Sequence, residues 1–276
     1  MDRRLTPATD RIALSSLKGV LDRPDYTDGQ PARLVVPLTD LLTAPDGRRD
    51  RQIIFGADLT IIDTVGDMAF VQAALDGYCG WVSRDALGFD LPVITHRVTA
   101  PATHVYPAPD MKQHELMSLT MGSRLSVAEV QGSFARLAGG GWVPTQHIGD
   151  GLSLDPGIVA ESLMGTPYLW GGNSRWGIDC SGLAQAALTA CGIPCPGDSD
   201  QQRDAFPVTD DITRGDLLFW PGHVALALSE DMMIHATAWT MDVTLETIHD
   251  AIARIDAAGG GPFQGARRPS SKPPVA

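Results

Sequence analysis

From about residue 31 to 150 the apolar positions fall in short runs of Val, Ile, Leu and Thr, separated by Gly and Asp. Short runs at close spacing with turn residues between them predict many brief strands, as in small β barrels. Two segments repeat. The first passes from Pro45-Asp46 through Phe55-Gly56-Ala57-Asp58-Leu59 to Gly80-Trp81-Val82. The second passes from Pro109-Asp110 through Met121-Gly122-Ser123-Arg124-Leu125 to Gly141-Trp142-Val143. The repeat favours two modules, with one irregular β-sandwich across both segments as the alternative. From about Gly149 the pattern changes. The spacing of Ile158, Val159, Leu163 and Met164 predicts a helix over 155–165, started by Asp155 or Pro156. A Gly-rich loop then leads into a second helix, over 181–190. The apolar runs 216–220, 223–228 and 232–236 read as strands. Helices followed by strands indicate an α+β domain. Beyond Gly259 the Gly, Pro, Arg and Ser content predicts an extended or disordered tail.

Composition narrows the class. The 276 residues are 43% hydrophobic and 20% charged, as expected for a soluble globular chain. A net charge of -12 argues against nucleic acid and an anionic membrane as partners. No apolar run of signal-peptide or membrane-span length follows the N-terminus, so the expected location is cytoplasmic. Cys79, Cys180, Cys191 and Cys195 form no disulfide ladder, which agrees with a reducing compartment. Cys191 and Cys195 lack a second ligand pair for zinc. No metal and no cofactor is expected. A monomer is expected.

Candidate chemistry centres on Cys180, in Ile178-Asp179-Cys180-Ser181-Gly182-Leu183. A thiol at a helix N-terminus faces unpaired N–H groups and the positive end of the helix dipole, which favours thiolate. A cysteine nucleophile needs a base, and the base needs a third group to fix its tautomer. Of seven histidines, His96, His104, His114, His147 and His249 occupy loop, module-surface or late-helix contexts. His223 and His235 instead lie in apolar strands joined by the turn Ser229-Glu230-Asp231, so an antiparallel hairpin would put both rings on one sheet. Trp81 and Trp142 read as module cores, Trp170 as a residue shaping the loop, and Asp216 as a turn residue.

The C-terminal region resembles the NlpC/P60 family of papain-like cysteine peptidases. The resemblance rests on Pro167-Tyr168-Leu169-Trp170-Gly171-Gly172, Asp179-Cys180-Ser181-Gly182-Leu183, Gly215-Asp216-Leu217-Leu218-Phe219, His223-Val224-Ala225-Leu226 and Met233-Ile234-His235-Ala236, in family order. The repeated Gly-Trp-Val units resemble bacterial SH3-like modules. The implied fold is α+β, a papain-like NlpC/P60 domain preceded by two small SH3-like β barrels. The implied segments are 1–30 as an extension, 31–92 and 93–150 as modules, 151–270 as the catalytic domain and 271–276 as a tail.

The resemblance also implies roles. Cys180 would be the nucleophile, His223 the base, and His235 its orienting partner, with the Tyr168 hydroxyl and the Cys180 N–H lining the oxyanion region. The whole arrangement is similar to the γ-D-glutamyl-L-diamino-acid endopeptidases, the dipeptidyl-peptidase VI group, which act on cell-wall peptides. These cleave after γ-D-Glu, before Lys or diaminopimelate, in substrates with a free N-terminal L-Ala. A module closing one end of the groove would leave room for two residues before the scissile bond. Asp179, Ser181 and Tyr78 match substrate-binding positions of that group, and the murein-derived peptide would be the only partner. Where the group usually has an acidic residue after Phe55-Gly56, this chain has Ala57, then Asp58. In an alternating strand Asp58 faces away from position 57, which puts its part in binding the amine in doubt. A wall-peptide-binding protein without activity, or an amidase or acyltransferase of the same family, are the competing readings.

Overall fold

The computed structural model describes residues 1–270, which divide at Asp150/Gly151 into two compact units. The 271–276 tail lies outside the described residues. Among the described residues no helix is long and apolar enough to cross a membrane.

In the first unit, seven strands make one antiparallel sheet. They are β1 Gln30–Leu34, β2 Leu38–Leu42, β3 Arg49–Ile54, β4 Asp58–Val65, β5 Met68–Ala73, β6 Cys79–Ser83 and β7 Leu87–Gly88. Their order across the sheet is β3-β2-β6-β5-β4-β1-β7. Alternate residues such as Leu34, Leu41, Leu59, Val71 and Val82 turn inward to form one core. Trp81 packs with Phe70 in a cluster of its own. Residues 96–149 form three further small sheets around a separate core of Val98, Val105, Leu119, Leu125 and Val143. This core and that of the seven-stranded sheet both lie within the one compact unit of residues 1–150. The modules meet where the Arg124 N–H donates to the Phe55 carbonyl at 3.0 Å. Gly56, with φ of +79°, permits this approach, and a side chain there would strike the Arg124 backbone.

Among the described residues the second unit holds four helices and a six-stranded sheet. The helices are α1 Pro156–Ser162, α2 Cys180–Ala190, α3 Ser199–Ala205 and α4 Ile248–Ala257. The strands are β8 Val208–Thr209, β9 Leu217–Trp220, β10 His223–Ala227, β11 Met232–Thr237, β12 Asp242–Thr247 and β13 Ala266–Arg267, in the order β8-β13-β9-β10-β11-β12. All pairs are antiparallel. Leu218, Trp220, Ala225, Ala227 and Met233 on the sheet form a core with Ile248, Ala251 and Ile255 of α4. Helix α2 packs on β10 and β11.

Two sequence expectations change here. The α1 helix is shorter than expected because Asp155 caps it, accepting from the Gly157 N–H at 2.7 Å, and it ends at Ser162. Residues 260–270 are packed and are not a disordered tail. Ala266 is buried between Thr209 and Leu218, and Arg268 reaches the carboxylate of buried Asp216 at 2.9 Å. A two-residue strand carries no periodicity, and only its long-range partners define it.

Candidate active site

Helix α2 is short, rich in Ala and Leu, and almost wholly buried, so packing fixes its orientation. Asp179 is its N-cap. One carboxylate oxygen accepts from the Gly182 N–H at 2.7 Å and the Ser181 hydroxyl at 3.1 Å. The other accepts from the Gly171 N–H at 2.8 Å. Such a cap contributes about 1 kcal/mol to helix stability, and here it also ties the Gly-rich loop to the helix start. Gly182 is required by the same crossing: a Cβ there would lie 2.5 Å from the Gly172 carbonyl oxygen.

Cys180 therefore opens the helix at a fixed point, 8% exposed. The N–H groups of Val224, Ser181 and Cys180 itself reach its sulfur. The Val224 contact brings the thiol against the start of β10, beside His223. On the sheet, His223 Nε2 lies 2.9 Å from His235 Nδ1, and His235 is fully buried. Tyr168 lies close enough to Cys180 and Asp179 that both act on its phenol. Burial first, then the electrostatic influence of Cys180 and Asp179, raise the phenol above its ordinary value, so it stays a hydroxyl donor.

The charge state differs from the sequence expectation. Burial, followed by the Asp179 carboxylate, pushes the Cys180 thiol up to about 12, and the N–H groups that pull the other way do not compensate. Burial, then His235 and Arg254, push His223 down to about 3, while Glu246 acts in the opposite sense. His235 is lowered to about 4 by burial and then Arg254. The resting pair is therefore neutral thiol and neutral imidazole. A helix N-terminus favours thiolate only as far as water or a countercharge also supports it, and here desolvation wins.

These shifts set a pH dependence. Both imidazoles stay neutral in the folded unit as pH falls below 6.5, whereas in the unfolded chain they take up protons. The unfolded state then binds more protons, and stability falls with pH between about 6.5 and about 3 to 4. Thermal melts from pH 7.5 to 4.5 should show Tm dropping below 6.5, and a His223→Gln/His235→Gln variant should flatten that slope. An equal slope in both proteins would contradict the assignment.

Within the second unit the Val224 N–H brings Cys180 to the start of β10 and His223 contacts His235, while Asp179, Ser181 and Tyr168 lie beside the thiol. Those of the first unit have structural work there. Tyr78 is 2% exposed, its ring 5.0 Å from the Arg51 guanidinium. Asp58 does not face a free site: it pairs with Arg33 at 2.7 Å and Arg124 at 2.6 Å, bridging the two modules. Two residues escaped the sequence reading. The Glu246 carboxylate lies 3.3 Å from His235 Nε2, without the alignment of a good hydrogen bond, and Arg254 holds it by a two-point pair at 2.8 and 2.7 Å. The only available signal was a carboxylate in a run that could pair beside the His235 strand.

Residues 165–255 match the NlpC/P60 family, and residues 41–87 match the bacterial dipeptidyl-peptidase SH3 domain. The chain carries the domain of the NlpC/P60 peptidase family behind an SH3 domain of the dipeptidyl-peptidase type. Among its relatives is dipeptidyl-peptidase 6 of Lysinibacillus sphaericus, 28% identical over 79% of this chain and 92% of that one. A γ-D-glutamyl-L-lysine dipeptidyl-peptidase of Bacillus subtilis (strain 168) is 27% identical over 73% of this chain and 76% of its own length. The crystal structure of an NlpC/P60 family protein from Bacillus cereus ATCC 10987 superposes with a TM-score of 0.74. At 21% identity it covers 87% of this chain and 99% of that one, and so shares the fold.

Proposed function

We propose that this chain is a cysteine endopeptidase that hydrolyses cell-wall peptides at the bond between γ-D-Glu and the diamino acid. Peptidoglycan recycling in the cytoplasm is the setting we assign to it. The observation that carries the reading is the line from the thiol at the α2 N-terminus, through the start of β10, to the 2.9 Å contact between His223 and His235. The relatives named as dipeptidyl-peptidases and the SH3 domain support the substrate class.

The chemistry follows from the neutral pair. His223 uses Nε2 toward His235, which leaves Nδ1 for the thiol. As the sulfur attacks the γ-carbonyl carbon, its proton passes to His223 Nδ1. The ion pair then forms only with the C–S bond, so its desolvation cost is met in the transition state. The Cys180 N–H and the Tyr168 hydroxyl are the donors for the tetrahedral oxyanion, each worth about 3 kcal/mol. The C–N bond breaks as His223 returns the proton to the leaving amine. Water, deprotonated by the same imidazole, then hydrolyses the thioester. The Ser181 hydroxyl donates to Asp179 at 3.1 Å, and Asp179 is the carboxylate beside the thiol that we assign to the substrate's ammonium.

The test is mass spectrometry of products from L-Ala-γ-D-Glu-diamino acid tripeptides, with and without N-acetylation of L-Ala. Release of the intact L-Ala-γ-D-Glu dipeptide from the free tripeptide, and much slower release from the acetylated one, is expected. Equal rates would remove the amine requirement. No cleavage of either would overturn the bond assignment.

A further inference from the structure

Three neighbouring strands place His223, His235 and Glu246 on one face of the sheet. Leu226 pairs with Ile234 and Ala227 with Met233 across β10 and β11, while Met233 pairs with Glu246 and His235 with Thr244 across β11 and β12. Counting by twos along each strand puts His223, His235 and Glu246 on the same side, each on its own strand. The contacts follow that diagonal: 2.9 Å from His223 Nε2 to His235 Nδ1, then 3.3 Å from His235 Nε2 to Glu246 Oε2. Arg254, from α4, closes the line with its fork on both Glu246 oxygens and its guanidinium 5.4 Å from the Trp239 ring.

We propose that Glu246, clamped by Arg254, is a positioning residue that fixes the tautomers of both His235 and His223. The proposal rests on the Cys180–His223–His235 reading above and adds the group that sets its proton order. For His223 to accept the thiol proton, Nδ1 must carry a lone pair and Nε2 the hydrogen. His235 Nδ1 must then accept, so the His235 hydrogen sits on Nε2. That nitrogen lies 3.3 Å from a Glu246 oxygen, a charge–dipole contact short of hydrogen-bond alignment. The opposite tautomer would set a lone pair against an anion and a hydrogen against the His223 N–H. One carboxylate thus selects the proton position on two rings.

Arg254 is the second half of the device. A glutamate alone would draw a proton onto His235 and make it an imidazolium, which cannot accept from His223. The guanidinium offsets that field: Arg254 lowers both imidazoles, and Glu246 raises His223. The pair therefore orients His235 without charging it. A bare salt bridge pinning α4 to β12 would need no such aim at a buried ring.

The experiment is 15N NMR of the histidine rings in the full chain, near neutral pH, for wild type, Glu246→Gln and Glu246→Ala. Wild type should show both His223 and His235 protonated at Nε2. Glu246→Ala should shift a substantial part of His235 to the Nδ1–H form and lower kcat about 10- to 100-fold with little change in KM. Glu246→Gln keeps an acceptor oxygen and the side-chain shape, and should lie between. It also serves as the reporter should the alanine variant not fold. Wild-type His235 protonated at Nδ1, or an unchanged Nε2–H tautomer in the folded variants, overturns the proposal. A wild-type protein that cleaves no wall peptide would refute the substrate reading, and the tautomers would still decide the role of Glu246.

Discussion

Cys180→Ala will remove peptide hydrolysis, lowering kcat by roughly 10⁴-fold or more, while the fold stays intact. The sulfur is the atom that the N–H groups of Val224, Ser181 and Cys180 surround; Cys79 lies on β6, Cys191 caps the opposite end of α2 and Cys195 follows that helix. Alanine keeps the helix start, because the cap is made by Asp179 and the N–H groups of Gly182 and Gly171. Alanine is also the best helix former. The two measurements are turnover of a wall tripeptide and a thermal melt. A folded alanine variant that still turns over substrate would sink the assignment of Cys180 as nucleophile.

The second large effect falls on His235. Its ring is fully buried and touches His223 at 2.9 Å, so His235→Leu keeps volume and removes the acceptor. His223 would then lose the partner that holds its hydrogen on Nε2, and an unpaired buried donor costs about 1 to 3 kcal/mol. In serine peptidases, spoiling the equivalent tautomer lowers kcat by about 10⁴-fold. A fall of about 10² to 10⁴-fold in kcat, with KM nearly unmoved, is expected here. The variant should stay folded, because Ile234 and Ala236 on either side remain buried and apolar. Near-wild-type kcat in a folded His235→Leu protein would show that His223 needs no orienting partner.

Much of this site is visible in the chain itself. The hairpin was legible because 216–220, 223–228 and 232–236 are apolar runs bounded by Pro221-Gly222 and Ser229-Glu230-Asp231. The α2 helix was legible, over 181–190, because a Gly-rich loop leads into a run rich in Ala and Leu; that Asp179 caps it is visible only in the structure. His223 and His235 stood out as polar rings in apolar strands, and the sheet register placed them together.

What was not legible depends on distance in sequence or on burial. Glu246 sits in Asp242-Val243-Thr244-Leu245-Glu246-Thr247, a run too polar to announce an inner role, and its partner His235 is fixed only by strand pairing. Asp58 was read by alternation alone, which gives a face but not the two arginines, Arg33 and Arg124, that occupy it. The thiolate expectation failed for a related reason. The helix dipole is a local property of Cys180 and its neighbours, whereas the desolvation that outweighs it comes from the packing of the whole unit.

The neutral resting state of Cys180 also bears on its chemical durability. Peroxide and disulfide reagents attack thiolates, and the ladder from sulfenic to sulfonic acid begins with that form. A thiol buried and pushed up to about 12 offers them almost none at neutral pH. The sulfur becomes a strong nucleophile only when a carbonyl carbon is in place and His223 takes the proton. The burial that makes the free site a poor thiolate thus makes it a poor target for oxidants, and ties its reactivity to the arrival of substrate.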